Sequence, residues 1–504
     1  MRAADKLPDR FNAAEHFVGR HVAEGRGERT AFTWDEGSLS YAELDERVRR
    51  FAGALRKAGV HKGERVAFLM PDSPTLPVGF WGAIAAGAVA VPINTLLKPH
   101  DHRLILNDCD ARLFIVDESI GSKDLAPADA MVWTAEDAAR AAIEGDLIER
   151  YESTHRDGFA FLLYSSGTTG EPKGVLHLHH DMWFCSETYG TRVLGIRPDD
   201  KCFSIAKIFF AYGLGNSVYV PNHVGAQSIL FAGRPTPEAV IEQVERHKPT
   251  LFFGVPTAYA NMLAVMEAGK KADFSSVRLC VSAGEALPAT LYERWLKRTG
   301  IEILDGIGST EILHIFLSNR AGSVVPGSSG KPVPGYDLRL VDETGSDVPT
   351  GELGDLLVRG DSIMALYWNK HEATKHALRG DWIRTGDRYY QDDDGNYFHA
   401  GRSDDMIKSG GNWVSPVEVE ATLISHSDVL ECAVVGAPDV DGLFKPHAFV
   451  VLRPGADGAD IESRLRAYAK ERLAPYKAPR WVTVLQELPK TATGKIQRFL
   501  LRAR

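Results

Sequence analysis

Apolar residues fall along this chain in short runs separated by longer amphipathic stretches. Runs with strand character are "RVAFLM" (65–70), "ARLFIVD" (111–117), "FAFLLYS" (159–165), "TLFFGVP" (250–256), "VRLCVSA" (277–283) and "IEILDGI" (301–307). Between them, "YAELDERVRRFAGALRKAG" (41–59) and "PEAVIEQVERH" (237–247) repeat apolar positions at helical spacing. Strands alternating with helices predict an α/β architecture with mixed, largely parallel sheets. From about 335 the texture changes to "YDLRLVD", "GELGDLLVRG", "DWIRTGD" and "NYFHAGR", short strands punctuated by Gly and Asp turns, which predict a small β-rich subdomain. Beyond a charged run, "GRSDD", the segments "SPVEVEATLISH", "VLECAVVGAP", "HAFVVLRPG" and "DIESRLRAYAKERL" read helix, strand, strand, helix, a compact α+β module. The expected division is therefore 1–402 and 403–504.

One stretch, "SPTLPVGFWGAIAAGAVAVPI" (73–93), carries no charge. Prolines at 74, 77 and 92 leave too short an interior for a membrane span, which needs ~20 predominantly apolar residues, so a buried helix leading into a strand is expected. The N-terminus lacks the apolar core of a secretory signal, and the chain is expected to be soluble. With 504 residues, 44% hydrophobic and 25% charged, the composition is that of a globular protein, and a net charge of −9 supplies no basic footprint for nucleic acid. Five cysteines, scattered and without a C-x-x-C pair, suggest neither a disulfide framework nor a zinc site, and fit a reducing compartment.

The chemistry concentrates in "YSSGTTGEPKG" (164–174), directly after the strand "FAFLL". Gly167 and Gly170 let backbone N–H groups converge, Ser165, Ser166, Thr168 and Thr169 add hydroxyl donors, and Lys173 adds a charge. This is a phosphate cradle, but neither a Walker A loop nor G-x-G-x-x-G.

The stretch closely resembles the signature of the adenylate-forming superfamily, which comprises acyl-CoA synthetases, adenylation domains and luciferases. Other motifs of that superfamily follow in order: "LSYAEL" (39–44), "GIGSTE" (306–311), "GELGDLLVRG" (351–360), "RTGD" (384–387), "GRSDDMIKSGG" (401–411) and "PKTATGKIQR" (489–498). The resemblance implies activation of a carboxylate by ATP to an acyl-adenylate, with displacement of AMP by a thiol. It implies Glu311 as magnesium ligand, Thr310 on the α-phosphate and Asp387 on the ribose hydroxyls, with Arg402 nearby. It also implies Asp305, the Gly306 backbone and Ile307 around adenine, and Lys495 as the catalytic lysine. Ile307 departs from the aromatic residue usual at that position; aliphatic packing can still cover a purine face. Asp404 aligns with a hinge about which a small C-terminal lid rotates, and Gly410 and Gly411 with a pantetheine tunnel for coenzyme A.

"KIFFAYGLGNS" (207–217), "SAGEALP" (282–288) and "GIGSTEILHIF" (306–316) together resemble the benzoate–CoA and 4-hydroxybenzoate–CoA ligase group. The implied pocket is Ala211, Tyr212, Ala283, Gly308, His314 and Ile315, shaped for a flat ring. The expectation is a cytoplasmic ligase of benzoate, or of a hydroxy- or amino-benzoate, using ATP, Mg2+ and CoA, with no nucleic-acid or membrane partner and either monomeric or homodimeric. The alternatives are an enzyme loading an acid onto a carrier protein and a non-catalytic nucleotide sensor. The first is disfavoured as a multi-domain module by the lack of a carrier domain after Arg504, the second by Lys495, Glu311, Thr310 and Asp387 together.

Overall fold

A computed structural model of the chain describes residues 2–166, 172–403, 405–409, 412–439, 443–456, 458–490 and 496–502. Two large mixed sheets are built from strands within residues 30–367. One has seven strands in the order Leu366–Tyr367, Pro172–Leu178, Phe159–Ser166, Val89–Pro92, Arg65–Leu69, Ala111–Val116 and Met131–Thr134. From Phe159–Ser166 onward its neighbours run parallel. The other has nine strands, and its centre, Ile303–Gly308, Leu279–Ser282, Leu251–Gly254, Lys201–Ser204 and Gln227–Ile229, is parallel throughout. One apolar cluster joins the two sheets, with Val66, Phe68, Ala90 and Leu163 from the first and Phe32, Phe253, Leu279 and Leu304 from the second.

Local chemistry explains the elements that frame the site. Helix Tyr41–Lys57 starts at a capping box, Ser40 accepting from the Glu43 N–H while Glu43 accepts from the Ser40 N–H. The charge-free stretch at 73–93 is a helix, Thr75–Ala85, followed by the strand Val89–Pro92; from Leu76 to Ala85 every helical residue is buried. Among the described residues, no helix is long and apolar enough to cross a membrane. All five cysteines are buried free thiols.

The β-rich portion is an antiparallel sheet of Asp337–Val341, Gly354–Arg359, Trp382–Gln391 and Leu378–Arg379, with Tyr397–Arg402 on the other side of Trp382–Gln391. Beyond it, helix Pro416–Ile424, strands Val429–Pro438 and Phe444–Leu452, and helix Ile461–Arg472 follow the order read from the sequence. A third strand, Trp481–Val484, lies parallel to Phe444–Leu452 and was not foreseen, because four residues are too few to display a period. This C-terminal portion has its own core, including Val419, Leu423, Val434, Val450 and Leu465.

Candidate active site

The arms of the phosphate loop are the antiparallel strands Phe159–Ser166 and Pro172–Leu178, in which Ser165 pairs with Lys173 and Ser166 with Pro172. Gly167, Thr168, Thr169 and Gly170 lie outside the described residues, as do Asp404, Gly410, Gly411 and Lys495. Lys173 is half-buried, its ammonium 5.4 Å from the centre of the Tyr367 ring, a cation–π contact that aims it across the sheet edge.

That tyrosine leads to the second element. Strand Ile303–Gly308 ends in a single 3-10 turn, Thr310–Ile312, capped by Ser309, whose hydroxyl accepts from the Ile312 N–H at 3.3 Å. The turn closes at Leu313 with φ +73 and ψ −46, a region L-residues avoid at a cost of roughly 1–3 kcal/mol. Surrounding contacts must hold it. Within it the Tyr367 hydroxyl donates to Glu311 Oε1 at 2.9 Å. Burial and then the Glu311 charge push the Tyr367 phenol well above its usual range, so it remains a donor. Glu311 Oε2 has no hydrogen bond or ion pair among the described residues. A half-buried carboxylate with one oxygen fixed and the other unused suits a hard divalent cation such as Mg2+. Gly308 is obligatory here: a Cβ would stand 2.6 Å from the His314 carbonyl oxygen.

Asp387 and Arg402 face each other across neighbouring strands, with Arg402 Nη1 3.4 Å from Asp387 Oδ1 and 3.2 Å from the Thr385 carbonyl. His399 Nε2 is 3.7 Å from the same carboxylate oxygen. Gly386 has φ +77, and a Cβ there would lie 2.8 Å from Arg402 Nη2, so the glycine lets the arginine fold over the turn. The Arg402 charge also acts on the Tyr367 phenol, which ties this pair to the Glu311 turn. Asp305 is turned inward, accepting from the Leu287 N–H at 3.4 Å, and its Oδ1 has no partner. Burial lifts its carboxyl to about 8, against the Leu287 and Gly306 N–H groups and the Ser282 hydroxyl. Ile307 is half-buried on the same strand, with Ile315 beneath: a Cβ on Gly306 would meet Ile315 Cγ2 at 2.9 Å.

The expected acid pocket gathers around His314. Its ring lies 5.2 Å from Tyr189, 5.9 Å from Tyr212 and 6.1 Å from Tyr219, centre to centre. Burial drives the imidazole down to about 3, so it is neutral at physiological pH. Neither ring nitrogen makes a well-aligned hydrogen bond, although the Tyr212 backbone lies close enough to favour a proton there. Tyr212 is anchored by its hydroxyl, 3.3 Å from both the Gly254 and Val281 carbonyls. Ala211 and Ala283 are buried small residues. The sequence reading missed four neighbours: Gly215, Asn216, Tyr189 and Tyr219. Both Asn216 amide atoms and both tyrosine hydroxyls are buried without a well-formed hydrogen bond, so polar capacity is concentrated behind His314. Only "YGLGNS" hinted at this, as a glycine-flanked asparagine beside the aromatic run.

Near the C-terminus, Arg498 forks onto Glu420 at 2.8 and 2.9 Å and lies 3.9 Å from Asp405, which Arg502 also binds. Lys490 and Ile496 form an antiparallel bridge. The residues on either side of the segment bearing Lys495 are thus paired with each other.

The sequence matches the profile of AMP-binding enzymes over residues 19–368 and that of the AMP-binding enzyme C-terminal domain over 418–495. It is 48% identical to the benzoate–CoA ligase of Thauera aromatica, over 99% of this chain and 97% of that one. With the 4-hydroxybenzoate–CoA/benzoate–CoA ligase of Rhodopseudomonas palustris the identity is 44%, over 98% and 94%. Among solved structures, the anthranilate CoA ligase AuaEII in complex with anthranoyl-AMP superimposes with a TM-score of 0.94 at 43% identity, covering 100% of this chain and 98% of that one.

Proposed function

Because this chain belongs to the AMP-binding enzyme family, we propose that it joins an aryl carboxylic acid to coenzyme A at the expense of ATP. The acid is benzoate or a hydroxy- or amino-substituted benzoate, in line with what the relatives act on. The observation that carries this reading is one turn. Glu311 is held by Tyr367, whose ring carries the Lys173 ammonium, while His314, just past the turn, packs beside Tyr212. The group suited to phosphate and metal is thus covalently three residues from the wall of an aromatic pocket.

In the first half-reaction the carboxylate oxygen attacks the α-phosphorus of ATP, and pyrophosphate leaves with the electron pair of the broken P–O bond. Both partners are anions, so the site must supply positive charge and alignment. Lys173 and Arg402 supply charge, Lys495 is assigned to the reacting oxygens, and Asp387 orients the ribose through its two acceptors. Magnesium held by Glu311 would neutralise phosphate oxygens as a Lewis acid. In the second half-reaction the CoA sulfur attacks the acyl carbon and AMP leaves. The C-terminal portion, turning about Asp404 with Gly410 and Gly411 along the pantetheine, exchanges Lys495 for the thiol. Neutral His314 presents no charge to repel or pair with the ring, which favours an uncharged aryl group. A cytoplasmic location completes the reading, since ATP and CoA are both supplied there.

Pyrophosphate exchange tests it. Exchange driven by benzoate, 4-hydroxybenzoate or 2-aminobenzoate but not by aliphatic acids is expected, with AMP release dependent on CoA. No exchange with any acid, or AMP release that needs a carrier protein instead of CoA, would refute it.

A further inference from the structure

The Thr310–Ile312 turn is gripped at each of its three carbonyls. The Thr310 oxygen accepts from His177 Nε2 at 2.8 Å, the Glu311 oxygen from the Met364 N–H at 2.8 Å, and the Ile312 oxygen from the Ser362 hydroxyl at 2.8 Å. Two grips come from one strap, residues 361–367, which also carries Tyr367. The third comes from strand Pro172–Leu178, four residues along from Lys173. His177 is therefore a direct side-chain tie between an arm of the phosphate loop and the turn bearing Glu311.

The ring of His177 has little freedom. Its Nδ1 lies 2.8 Å from Asp181 Oδ2, both side chains are fully buried, and Phe161 stacks on its face at 5.1 Å and 20°. A carboxylate at Nδ1 and a carbonyl at Nε2 thus hold the ring at both ends. Asp181 is itself held by the Leu178 N–H at 3.0 Å. Its other oxygen lies 3.2 Å from His180 Nε2, and that nitrogen is 2.9 Å from the Asp361 carbonyl at the head of the strap. The carboxylate thus orients His177 through Oδ2, while its Oδ1 makes no hydrogen bond among the described residues and only neighbours His180, which holds the Asp361 carbonyl at the head of the strap.

We propose that His177, oriented by Asp181, is a positioning residue that sets the Thr310–Glu311 turn in register with the phosphate loop for binding of Mg·ATP. It touches no substrate and acts through the Thr310 carbonyl. The proposal rests on the roles given above to Thr310 and Glu311, so its test includes a variant that examines those roles separately.

The experiment compares His177→Leu, His177→Gln, Asp181→Asn and Glu311→Gln in the full-length protein. Glutamine keeps an N–H near the Nε2 position; leucine does not. The readouts are KM for Mg·ATP, KM for the aryl acid, pyrophosphate exchange, thioester formation from a supplied aryl-adenylate, and the thermal midpoint. His177→Leu is expected to lower kcat/KM for Mg·ATP by about 10- to 100-fold, the effect of a displacement of up to about 1 Å at a reacting centre. KM for the acid should stay within about 3-fold, thioester formation should fall less than adenylation, and glutamine should recover most of the loss. Asp181→Asn should fall between the two. Equal losses in both half-reactions with a lowered thermal midpoint would make His177 merely structural and overturn the proposal. So would a folded His177→Leu protein with unchanged Mg·ATP kinetics while Glu311→Gln is impaired. If Glu311→Gln itself leaves Mg·ATP kinetics unchanged, the assignment of the turn fails, and the proposal with it.

Discussion

Gly215 is the most revealing single position in the acid pocket. A Cβ placed there would stand 2.3 Å from His314 Cδ2, 2.4 Å from His314 Nε2 and 2.7 Å from the Tyr219 hydroxyl oxygen. Carbon contacts settle near 3.5–4.0 Å, so Gly215→Ala must move the imidazole by roughly 1.2 Å or more. The ring has no outward path: it is 2% exposed, Tyr189 and Tyr219 flank it, and its own carbonyl abuts Gly308. Displacement toward Tyr212, 5.9 Å away, would bring the ring into the proposed acid pocket. Overpacking of this kind costs about 1–3 kcal/mol. Replacing a helical glycine by alanine returns up to ~1 kcal/mol, and Gly215 opens the helical segment Gly215–Tyr219, so the net loss of stability should be roughly 0–3 kcal/mol. Activity should respond more than stability, with kcat/KM for benzoate down by about 10- to 100-fold and KM for ATP within about 3-fold. The assays are denaturant unfolding and steady-state kinetics with benzoate, 4-hydroxybenzoate and 2-aminobenzoate. A cycle with His314→Ala isolates the clash: with the ring gone, Gly215→Ala should cost much less, the Tyr219 contact alone remaining. Additive effects, or wild-type kinetics for Gly215→Ala, would refute the placement of His314 against the acid.

Tyr367→Phe removes the donor to Glu311 Oε1, a hydrogen bond to a charged group and so worth at least ~1.5 kcal/mol; pyrophosphate exchange should fall about 10-fold with a raised requirement for Mg2+, and an equal fall in thioester formation from supplied adenylate would count against it. Glu420→Gln leaves Arg498 facing an amide in a mostly buried fork, a loss of ~3 kcal/mol from the C-terminal portion, read by its unfolding in urea, and an unchanged midpoint would show the fork to be idle. Acid should destabilise the fold through its histidines: His21, His179 and His314 are held down to about 4, about 3 and about 3, burial being the first cause in each. At pH 5 all three are neutral when folded and charged when unfolded, so each makes stability rise with pH by ~1.4 kcal/mol per unit between about pH 4 and 6. Asp305, held up to about 8, works in the opposite sense by one proton, so these four groups together give ~2.7 kcal/mol per unit. Urea unfolding at pH 5 and 6 measures the slope; His314→Asn should lower it by ~1.4, and an equal slope would exclude burial of that ring as a source.

Much of the fold was legible because its strands are buried on both faces and appear as continuous apolar runs. "VRLCVSA" became the fully buried strand Leu279–Ser282, and "PEAVIEQVERH" a helix whose Thr236 cap preceded a proline at its first turn. Some of the strands missed were short, such as Gln227–Ile229, which has no room for a pattern and is specified by its parallel neighbours. The site divided in the same way. Groups proposed to meet substrate directly stand in motifs and could be named one by one. Groups that act on those groups could not: Tyr367 is 56 residues from Glu311, His177 133 residues from Thr310, and Ser362 50 residues from Ile312. A hydrogen bond across such separations leaves no local signature, and Tyr367, within "MALYWNK", reads as an ordinary edge aromatic.

The crowding of the turn constrains where selectivity can change. Gly308, His314 and Ile315 belong to the same ten residues as Thr310 and Glu311, and Leu313 between them is at positive φ directly after carbonyls held by His177 and Ser362. A side chain altered within 308–315 therefore shifts a strained backbone whose other end sets Glu311, so selectivity and Mg·ATP use should change together. Ala211, Tyr212 and Gly215 belong to a separate helical segment, fastened by the Tyr212 hydroxyl to the carbonyls of Gly254 and Val281, in strands that carry no proposed ATP ligand. Substitutions there press on His314 from outside the turn. The two sets of positions thus differ in kind, and an acid preference altered at constant KM for ATP should be reached from Ala211, Tyr212 or Gly215 and not from within the turn.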